Sequence, residues 1–319
     1  VRSRRQRQMC IRDRAKTVAK HGIATENHII ETLLNHSQVI TTTLVGSNHY
    51  YLENLHFKTV FIDEAAQALE PATWIPISKA EKVVLAGDPF QLPPTVKSDL
   101  AKKKGLSISL MEYGIQQLEK VSLLDTQYRM NELIMNFSNQ EFYKNQLIAD
   151  KSVKNHSLIN EFAMEFIDTA GCSFEEESVE GSTSLHNIEE CKLIQKHLEE
   201  LQSRHQTEEY TVGVISPYKG QVEYIKTVFS SQENVSINTI DSFQGQEKDV
   251  IYISLVRSNL DGEIGFLKDY RRMNVAMTRA KKKLVIIGDS GTLGNDKFYN
   301  NLLNYCEKIG AYKTAWEFM

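Results

Sequence analysis

Short runs rich in valine and isoleucine alternate with amphipathic helical patterns along most of this chain. Helical spacing of apolar residues is clearest at residues 15–36, 187–201 and 219–229. The apolar runs are continuous, which is typical of strands buried on both faces of a parallel sheet. This alternation predicts an α/β fold with doubly wound parallel sheets. The candidate strands are residues 38–44, 59–63, 82–86, 121–125, 211–216, 236–240, 250–256 and 284–288.

Composition and charge fit an ordinary globular protein. The chain has 319 residues, enough for two domains, with 41% hydrophobic and 24% charged residues. The net charge is −4, so a polyanion would have to bind to a local basic surface. No apolar run approaches the roughly 20 residues that cross a bilayer, and no signal-peptide pattern is present, so we expect a cytoplasmic location. The four cysteines, Cys10, Cys172, Cys191 and Cys306, form no C-x-x-C pair, so we expect reduced thiols and no zinc site.

Acidic residues follow two of the predicted strands. Asp63 and Glu64 end the run at 59–63, and Gly87-Asp88 follows the run at 82–86. Ligands of parallel sheets bind beyond the carboxyl ends of the strands, so carboxylates there are placed to hold Mg²⁺ and polarise a water molecule. An acidic pair in this position can equally serve as the N-cap and first turn of the next helix. Taken alone, Asp63-Glu64 fits either role.

Four further motifs in the chain favour the chemical role of this pair. The pair begins the string DEAA at 63–66, which is followed by GDPFQLPP at 87–94, QYRM at 127–130, DSFQGQE at 241–247 and RRMNVAMTRA at 271–280. Together they resemble motifs II, III, IV, V and VI of superfamily 1 helicases, over nearly all of residues 41–289. Within that superfamily the motif sequences are similar to those of the 5′-to-3′ branch, which includes the nonsense-mediated-decay helicase and the immunoglobulin mu-binding helicase.

The resemblance implies two RecA-like domains, the first of them truncated at its amino end. We expect the first at residues 15–115, the second at 116–312 and a tail at 313–319. No glycine of the chain is followed by lysine, so the phosphate loop G-x-x-x-x-G-K-[ST] of such enzymes is absent from these residues. We therefore expect the chain to be the C-terminal portion of a helicase core and to hydrolyse little or no ATP alone.

The first fourteen residues hold six arginines and one aspartate and show no apolar periodicity. We expect neither helix nor strand there and interpret the segment as a non-native or disordered tail. A nucleic-acid-binding arm is the alternative, because its charge would attract phosphates.

The resemblance also assigns roles in ATP hydrolysis. Asp63 would hold Mg²⁺ and Glu64 would orient and deprotonate the attacking water, while Gln91 would contact the γ-phosphate. Arg129 and Arg279 would act as arginine fingers, since a planar guanidinium can meet two phosphate oxygens. The remaining nucleotide contacts are Tyr128 on the base, Gly245 at the γ-phosphate and Glu247 on the ribose.

Single-stranded RNA or DNA is the expected partner, and the protein is expected to be a monomer with ATP and Mg²⁺ as cofactors. Hydroxyl and amide contacts to sugar and phosphate carry no sequence code, so binding should tolerate any sequence. The candidate contacts are Thr41, Thr42, Thr43, Thr95, Ser216, Tyr218 and Thr239. Two alternatives remain: a nucleic-acid-binding or scaffolding protein without turnover, and a RecA-like ATPase that acts on protein.

Overall fold

The computed structural model describes residues 4–118, 121–232 and 234–319. The chain forms two compact units. The first unit comprises Val1–Asp88 and Pro93–Gln117, and the second comprises Pro89–Leu92 and Leu118–Met319. The predicted domain bounds, with a division after residue 115, stay a prediction.

A pair of parallel strands forms the sheet of the first unit. Ile62 pairs with Leu85 where both strands end, so their carboxyl ends lie side by side. The helices are α1 (Arg4–His36), α2 (Glu70–Ile77), α3 (Asp99–Ala101) and α4 (Leu110–Gln117), and the strands are β1 (Phe57–Ile62) and β2 (Ala80–Leu85).

The second unit is built on a six-stranded parallel sheet. Its strands are β5 (Met164–Asp168), β8 (Val212–Ser216), β9 (Val235–Thr239), β10 (Lys248–Ser254), β11 (Ala280–Gly288) and β12 (Tyr312–Thr314). Their order across the sheet is β12-β5-β11-β10-β8-β9. Two small pairs lie outside it: β3 (Thr126–Gln127) with β4 (Ile148–Ala149), and β6 (Glu177–Ser178) with β7 (Leu185–His186). The helices are α5 (Glu132–Glu141), α6 (Ile188–Arg204), α7 (Lys219–Val228), α8 (Tyr270–Met277), α9 (Ser290–Leu293) and α10 (Lys297–Ile309).

Both faces of this sheet are buried. Along β10, Ile251 and Ile253 belong to one hydrophobic cluster, while Val250 and Tyr252 belong to another. Successive side chains of a strand point to opposite faces, so the two clusters are the two covered faces of one sheet. The predicted α/β fold with a doubly wound parallel sheet is therefore confirmed in this unit.

The helices predicted at residues 15–36, 187–201 and 219–229 are confirmed, although the first begins earlier, at Arg4, and the second continues to Arg204. Helix α6 begins where the side chain of Asn187 accepts a hydrogen bond from the backbone N–H of Glu190, 3.1 Å away. Among the described residues, no helix combines the length and the apolar character needed to span a membrane.

Two predicted strands are wrong. Residues 38–44 form no strand, and Val39 is exposed with no described strand beside it. Residues 121–125 are also irregular, with Leu124 91% exposed. In both described segments the β-forming residues are not paired along their length with another strand, and β propensity without such a partner does not make a strand.

Regular structure also extends beyond the prediction at both ends. Helix α1 begins at Arg4, because arginine, glutamine and methionine are good helix formers and no glycine or proline interrupts them before Gly22. The idea that these residues are non-native stays a prediction. The expected tail instead contributes strand β12 to the edge of the sheet, followed by a short 3₁₀ turn at Ala315–Phe318.

Three cysteines, Cys172, Cys191 and Cys306, are buried and free. Burial raises the pKa of the Cys191 and Cys306 thiols to about 12, which keeps both protonated. The Cys10 side chain lies outside the described part of the chain.

Candidate functional site

The turn after β1 carries Asp63 and Glu64, here called the acidic turn. Asp63 Oδ1 accepts a hydrogen bond from the Glu64 N–H at 2.9 Å. Glu64 has φ 51° and ψ 36°, a left-handed conformation that is uncommon for a residue with a side chain. The next N–H, from Ala65, donates to the Ala86 carbonyl at 2.8 Å, which ties the turn to the end of β2.

Gly87 lets the two strand ends come this close. A β-carbon at this position would lie 3.0 Å from the Ala65 nitrogen and 3.1 Å from the Ala66 nitrogen, and both of these atoms are backbone. The prediction that the carboxyl ends of these two strands share one edge is therefore confirmed.

The carboxylates of the acidic turn are exposed. Glu64 Oε2 accepts a hydrogen bond from Gln67 Nε2 at 2.6 Å, which orients its side chain. The described residues contain no group of three or more histidine, cysteine, aspartate or glutamate side chains arranged to hold a metal. An open site of this kind fits Mg²⁺, which is usually bound by one or two carboxylates together with phosphates and water.

In the second unit, Arg279 is almost fully buried and its guanidinium is held from several sides. Its Nε donates to the Val275 carbonyl at 3.0 Å. Its Nη2 donates to Gln91 Oε1 at 3.2 Å and to Thr278 Oγ1 at 3.3 Å. Two predicted catalytic residues, Gln91 and Arg279, are therefore in direct contact.

Gln91 is held in place by its neighbours. The Phe90 carbonyl accepts a hydrogen bond from Asn274 Nδ2 at 2.9 Å, and the Phe90 ring packs edge-on against Tyr143. Leu92 belongs to the hydrophobic core of the second unit. These contacts explain why Pro89–Leu92 is part of that unit.

Arg129 joins the same group of residues. Its Nε donates to Glu247 Oε2 at 2.5 Å and its Nη1 donates to the Thr278 carbonyl at 3.2 Å. Thr278 thus contacts Arg129 through its carbonyl and Arg279 through its hydroxyl. We call the set Gln91, Arg129, Glu247, Thr278 and Arg279 the arginine cluster.

Glu247 remains ionised because cations surround it. Lys281 Nζ lies 2.7 Å from Glu247 Oε1. The hydrogen bonds from Lys281 and Arg129 lower the pKa of Glu247, although partial burial opposes them. Lys281 was not among the predicted site residues, since a triple lysine is more often a wet surface. Its ion pair with Glu247 would have identified Lys281, but that contact is visible only in the fold.

The remaining predicted nucleotide contacts are accessible. Gly245 has φ 74°, a conformation that favours glycine, and a β-carbon there would have no atom within 4 Å. Tyr128 is 69% exposed and so is accessible to a ligand. Neither role is tested by the structure, and both stay predictions.

The predicted nucleic-acid contacts divide into exposed and buried residues. Thr41, Thr42, Thr43 and Thr95 are exposed, and Thr239 is half-buried. Ser216 and Tyr218 are buried, so their side chains are not on the surface. Ser216 Oγ accepts a hydrogen bond from the Tyr218 N–H at 3.4 Å, and the Tyr218 hydroxyl accepts one from Arg257 Nη1 at 3.4 Å.

Thr239 opens onto a surface cavity of about 200 Å³ at the carboxyl ends of β8 and β9, here called the rim cavity. Arg272 lies in its wall, paired with Asp241 through Nε at 3.1 Å and Nη2 at 3.4 Å. Phe266, which is 61% exposed, provides an aromatic face. The cavity is lined by Pro217, Thr239, Ile240, Asp241, Phe266 and Arg272.

Comparison with protein families gives two matches, each described as an AAA domain. One covers residues 106–291 and the other covers residues 2–99. The chain belongs to this AAA-domain family of superfamily 1 helicases. The resemblance in its motifs is thereby confirmed at the level of the family.

Several curated proteins are similar to this family member. An uncharacterized ATP-dependent helicase of Methanocaldococcus jannaschii is 38% identical over 299 residues, which is 88% of this chain and 43% of the relative. DNA polymerase alpha-associated DNA helicase A of Saccharomyces cerevisiae is 37% identical, covering 88% of this chain and 46% of the relative. The chain spans less than half the length of both relatives.

Among solved structures, an arterivirus nonstructural protein 10 (helicase) in complex with DNA is similar over 86% of this chain and 59% of its own. The TM-score is 0.41 and the sequence identity is 14%.

Proposed function

We propose that the complete protein is a helicase or translocase that hydrolyses Mg-ATP to move along single-stranded nucleic acid. The arginine cluster carries this proposal. Four residues that the motifs assign to nucleotide chemistry, Gln91, Arg129, Glu247 and Arg279, meet around Thr278 although they lie far apart in sequence. A cytoplasmic location and a monomeric state belong to the same proposal.

The chemistry requires neutralisation of charge on the γ-phosphate and an oriented water molecule. Arg279 is suited to the first task because the Val275 carbonyl and Gln91 fix its guanidinium in advance, so little reorganisation is needed during the reaction. The acidic turn supplies the second set of groups: Asp63 for Mg²⁺ and Glu64 for the water. ATP binding and hydrolysis would then be coupled to movement along the strand.

For the nucleic-acid strand, the exposed residues Thr41, Thr42, Thr43 and Thr95 and the rim cavity carry the proposal. Thr239 and Arg272 offer polar contacts for a phosphate or sugar, and the exposed ring of Phe266 offers a surface on which a base can stack. The Saccharomyces cerevisiae relative is named a DNA helicase, and a relative of Mesocricetus auratus that is 37% identical is named DNA-binding protein SMUBP-2, which supports nucleic acid over protein as the partner.

The test is ATP hydrolysis by the full-length protein, measured with and without oligothymidylate or oligouridylate. We expect stimulation by a single strand, and a loss of about 10³-fold in stimulated turnover for Arg279→Ala, on the arginine-finger precedent. Arg204→Ala is the matched control, because Arg204 makes a partly exposed ion pair with Glu161 away from these motifs. Unchanged stimulated turnover in Glu64→Gln would rule out Glu64 as the general base.

The two alternatives give different results in the same assay. A binding or scaffolding protein would bind the strand without hydrolysis by the full-length form, and an ATPase acting on protein would hydrolyse ATP without stimulation by either strand. The present chain alone should hydrolyse little ATP in any case, because none of its glycines is followed by lysine.

A further inference from the structure

The residue just beyond strand β10 has a strained backbone. Val256 has φ 70°, in the left-handed region, and a β-branched residue is a true outlier there. Such a conformation is energetically costly and persists only where surrounding groups enforce it. The position is the carboxyl end of a central strand of the parallel sheet, the edge at which such folds bind their ligands.

The first turn of α6 enforces this conformation. Glu190 is fully buried, and both of its carboxylate oxygens lie 3.1 Å from the Val256 nitrogen. Its Oε2 also accepts a hydrogen bond from Ser254 Oγ at 2.5 Å. On the other side of the residue, Asn187 Nδ2 donates to the Val256 carbonyl at 3.3 Å. The N–H and the carbonyl of Val256 are thus both bound by one helix end.

The strained residue sets the position of Arg257. The guanidinium of Arg257 donates through Nε to Glu176 Oε2 at 2.7 Å and through Nη1 to the Tyr218 hydroxyl at 3.4 Å. It also packs under the loop that follows. A β-carbon on Gly265 would lie 2.1 Å from Arg257 Nη1 and 2.8 Å from the Tyr218 hydroxyl, so the Gly265 backbone rests directly on both groups.

This contact leads directly to the rim cavity. Gly265 begins the 3₁₀ turn Gly265–Lys268, and the next residue, Phe266, forms one wall of the cavity. The Phe266 ring lies 5.6 Å, centroid to centroid, from that of Tyr218. A continuous series of contacts therefore joins Glu190, the Val256 backbone, Arg257 and the loop that presents Phe266.

We propose that Glu190 is a positioning residue for the rim cavity: it holds Val256 in the left-handed conformation, and Arg257 in turn fixes the Gly265–Lys268 turn where a nucleic-acid base would bind. The proposal rests on the proposed function for the identity of the ligand. The series of contacts itself does not depend on that identity.

The test compares three variants of the full-length protein with the wild type, using a fluorescein-labelled oligothymidylate. Glu190→Leu removes both acceptors at similar volume, so Val256 is no longer held in its strained conformation. Binding should weaken by about tenfold or more, because the ligand must then restore that conformation. Glu190→Gln keeps an oxygen facing the Val256 N–H and should bind within about twofold of the wild type. Glu190→Leu with Val256→Gly should recover most of the loss, because glycine adopts this φ without strain.

Hydrogen exchange measured without nucleic acid separates this proposal from the proposed function. In Glu190→Leu, exchange should rise at residues 254–258 and also at 264–268, and the added Val256→Gly should restore protection at 264–268. If the wild type fails to bind the oligonucleotide while exchange behaves in this way, the proposed function is wrong and the positioning role stands. A rise confined to 254–258, or no recovery with glycine, overturns the positioning role.

A second variant covers the case in which Glu190→Leu does not fold. Arg257→Lys retains a cation near Glu176 but loses the planar fork that reaches Tyr218. It should weaken oligothymidylate binding and raise exchange at 264–268 while leaving 187–190 protected. Unchanged exchange at 264–268 in this variant would likewise overturn the proposal.

Discussion

Two buried glutamates in the second unit have opposite pKa shifts because their partners differ. Burial raises the pKa of Glu190 to about 8, and the nearby carboxylates of Asp289 and Glu176 add to the effect. For Glu165, burial acts in the same direction, but hydrogen bonds from His197 and Lys283 outweigh it and lower the pKa. Lys283 is itself fully buried, 2.5 Å from Glu165 Oε1 and 2.8 Å from Glu161 Oε2.

The raised pKa of Glu190 predicts a pH-dependent stability. The folded state favours the protonated acid, so this contribution is complete below about pH 4.5 and is lost as the pH rises toward 8. Glu190→Gln removes the titration. The free energy of unfolding of Glu190→Gln minus that of the wild type should therefore grow with pH, by up to about 1.4 kcal/mol per pH unit between about pH 5 and 8.

Urea unfolding of both proteins at several pH values within this range measures that difference. Other titrating groups are common to the pair and cancel. A difference that stays constant with pH would contradict the raised pKa.

A pair of glycines separates backbone strain from ligand contact. Gly245 has φ 74° and Gly171 has φ 75°, and a β-carbon on either would meet no atom within 4 Å. Alanine at each position should therefore destabilise the fold by a similar amount, about 1 kcal/mol. In the full-length protein, Gly245→Ala should in addition raise the KM for ATP, whereas Gly171→Ala should not. If Gly245→Ala and Gly171→Ala have equal KM values for ATP, measured at a temperature at which both variants are fully folded, a close approach of Gly245 to the phosphates is excluded.

At this scale, much of the candidate site follows from the sequence. Gln91, Arg129, Glu247 and Arg279 are predicted from the motifs alone, because residue type and order are enough to recognise them. Thr278 and Lys281 were not predicted, since their roles depend on which side chains the fold brings beside them. Ser216 and Tyr218 were predicted to contact nucleic acid, but their side chains are buried. Residue type alone does not show whether a side chain at the end of a β-strand is buried.

At the level of elements, α10 shows how one side chain fixes a helix end. Asp296 Oδ1 accepts hydrogen bonds from the Phe298 N–H at 2.9 Å and the Tyr299 N–H at 3.3 Å. Its Oδ2 accepts one from the Tyr270 hydroxyl at 2.7 Å, which links α10 to α8 and raises the pKa of Tyr270 to about 12. The cap therefore joins two helices of the same unit.

Asp296→Ala should lower the free energy of unfolding by about 1–2 kcal/mol, because two helix N–H groups and one partly buried hydroxyl lose their acceptor. Asp296→Asn should recover most of this loss, since asparagine is an equally good N-cap. Asp261→Ala, in an exposed loop, serves as the control and should change stability by less than about 0.5 kcal/mol. Chemical denaturation measures all three, and equal values for Asp296→Ala and the control would contradict the capping role.

Strands were predicted correctly where apolar runs are long, and were missed where strand formation depends on contacts with other residues or strands. β8, β9, β10 and β11 were found from their valine and isoleucine content. β5 was missed because its sequence, MEFID, carries two carboxylates. Glu165 is tolerated in the sheet because Lys283, His197 and Lys313 pair with it. β12 is three residues long, and pairing with β5 is what makes it a strand.

For the molecule as a whole, the two units differ in how much apolar surface they bury. The second has a hydrophobic cluster on each face of a six-stranded sheet, whereas the described sheet of the first has two strands and leaves Phe61 74% exposed. Two strands alone are marginally stable in water. Brief digestion with trypsin should therefore cut residues 4–117 first and leave a fragment that ends near Met319, identified by mass spectrometry. Cleavage of both units at equal rates would contradict this.

The order of strands in the large sheet has a consequence for how the protein is made. Its two central strands, β10 and β11, come late in the chain, while β5 is synthesised well before the strand beside which it must lie. Apolar segments made early therefore wait without their final neighbours, and folding dominated by such distant pairings is slow and exposed to aggregation. Expression at reduced temperature, or with chaperones that shield waiting segments, should raise the soluble yield of this chain.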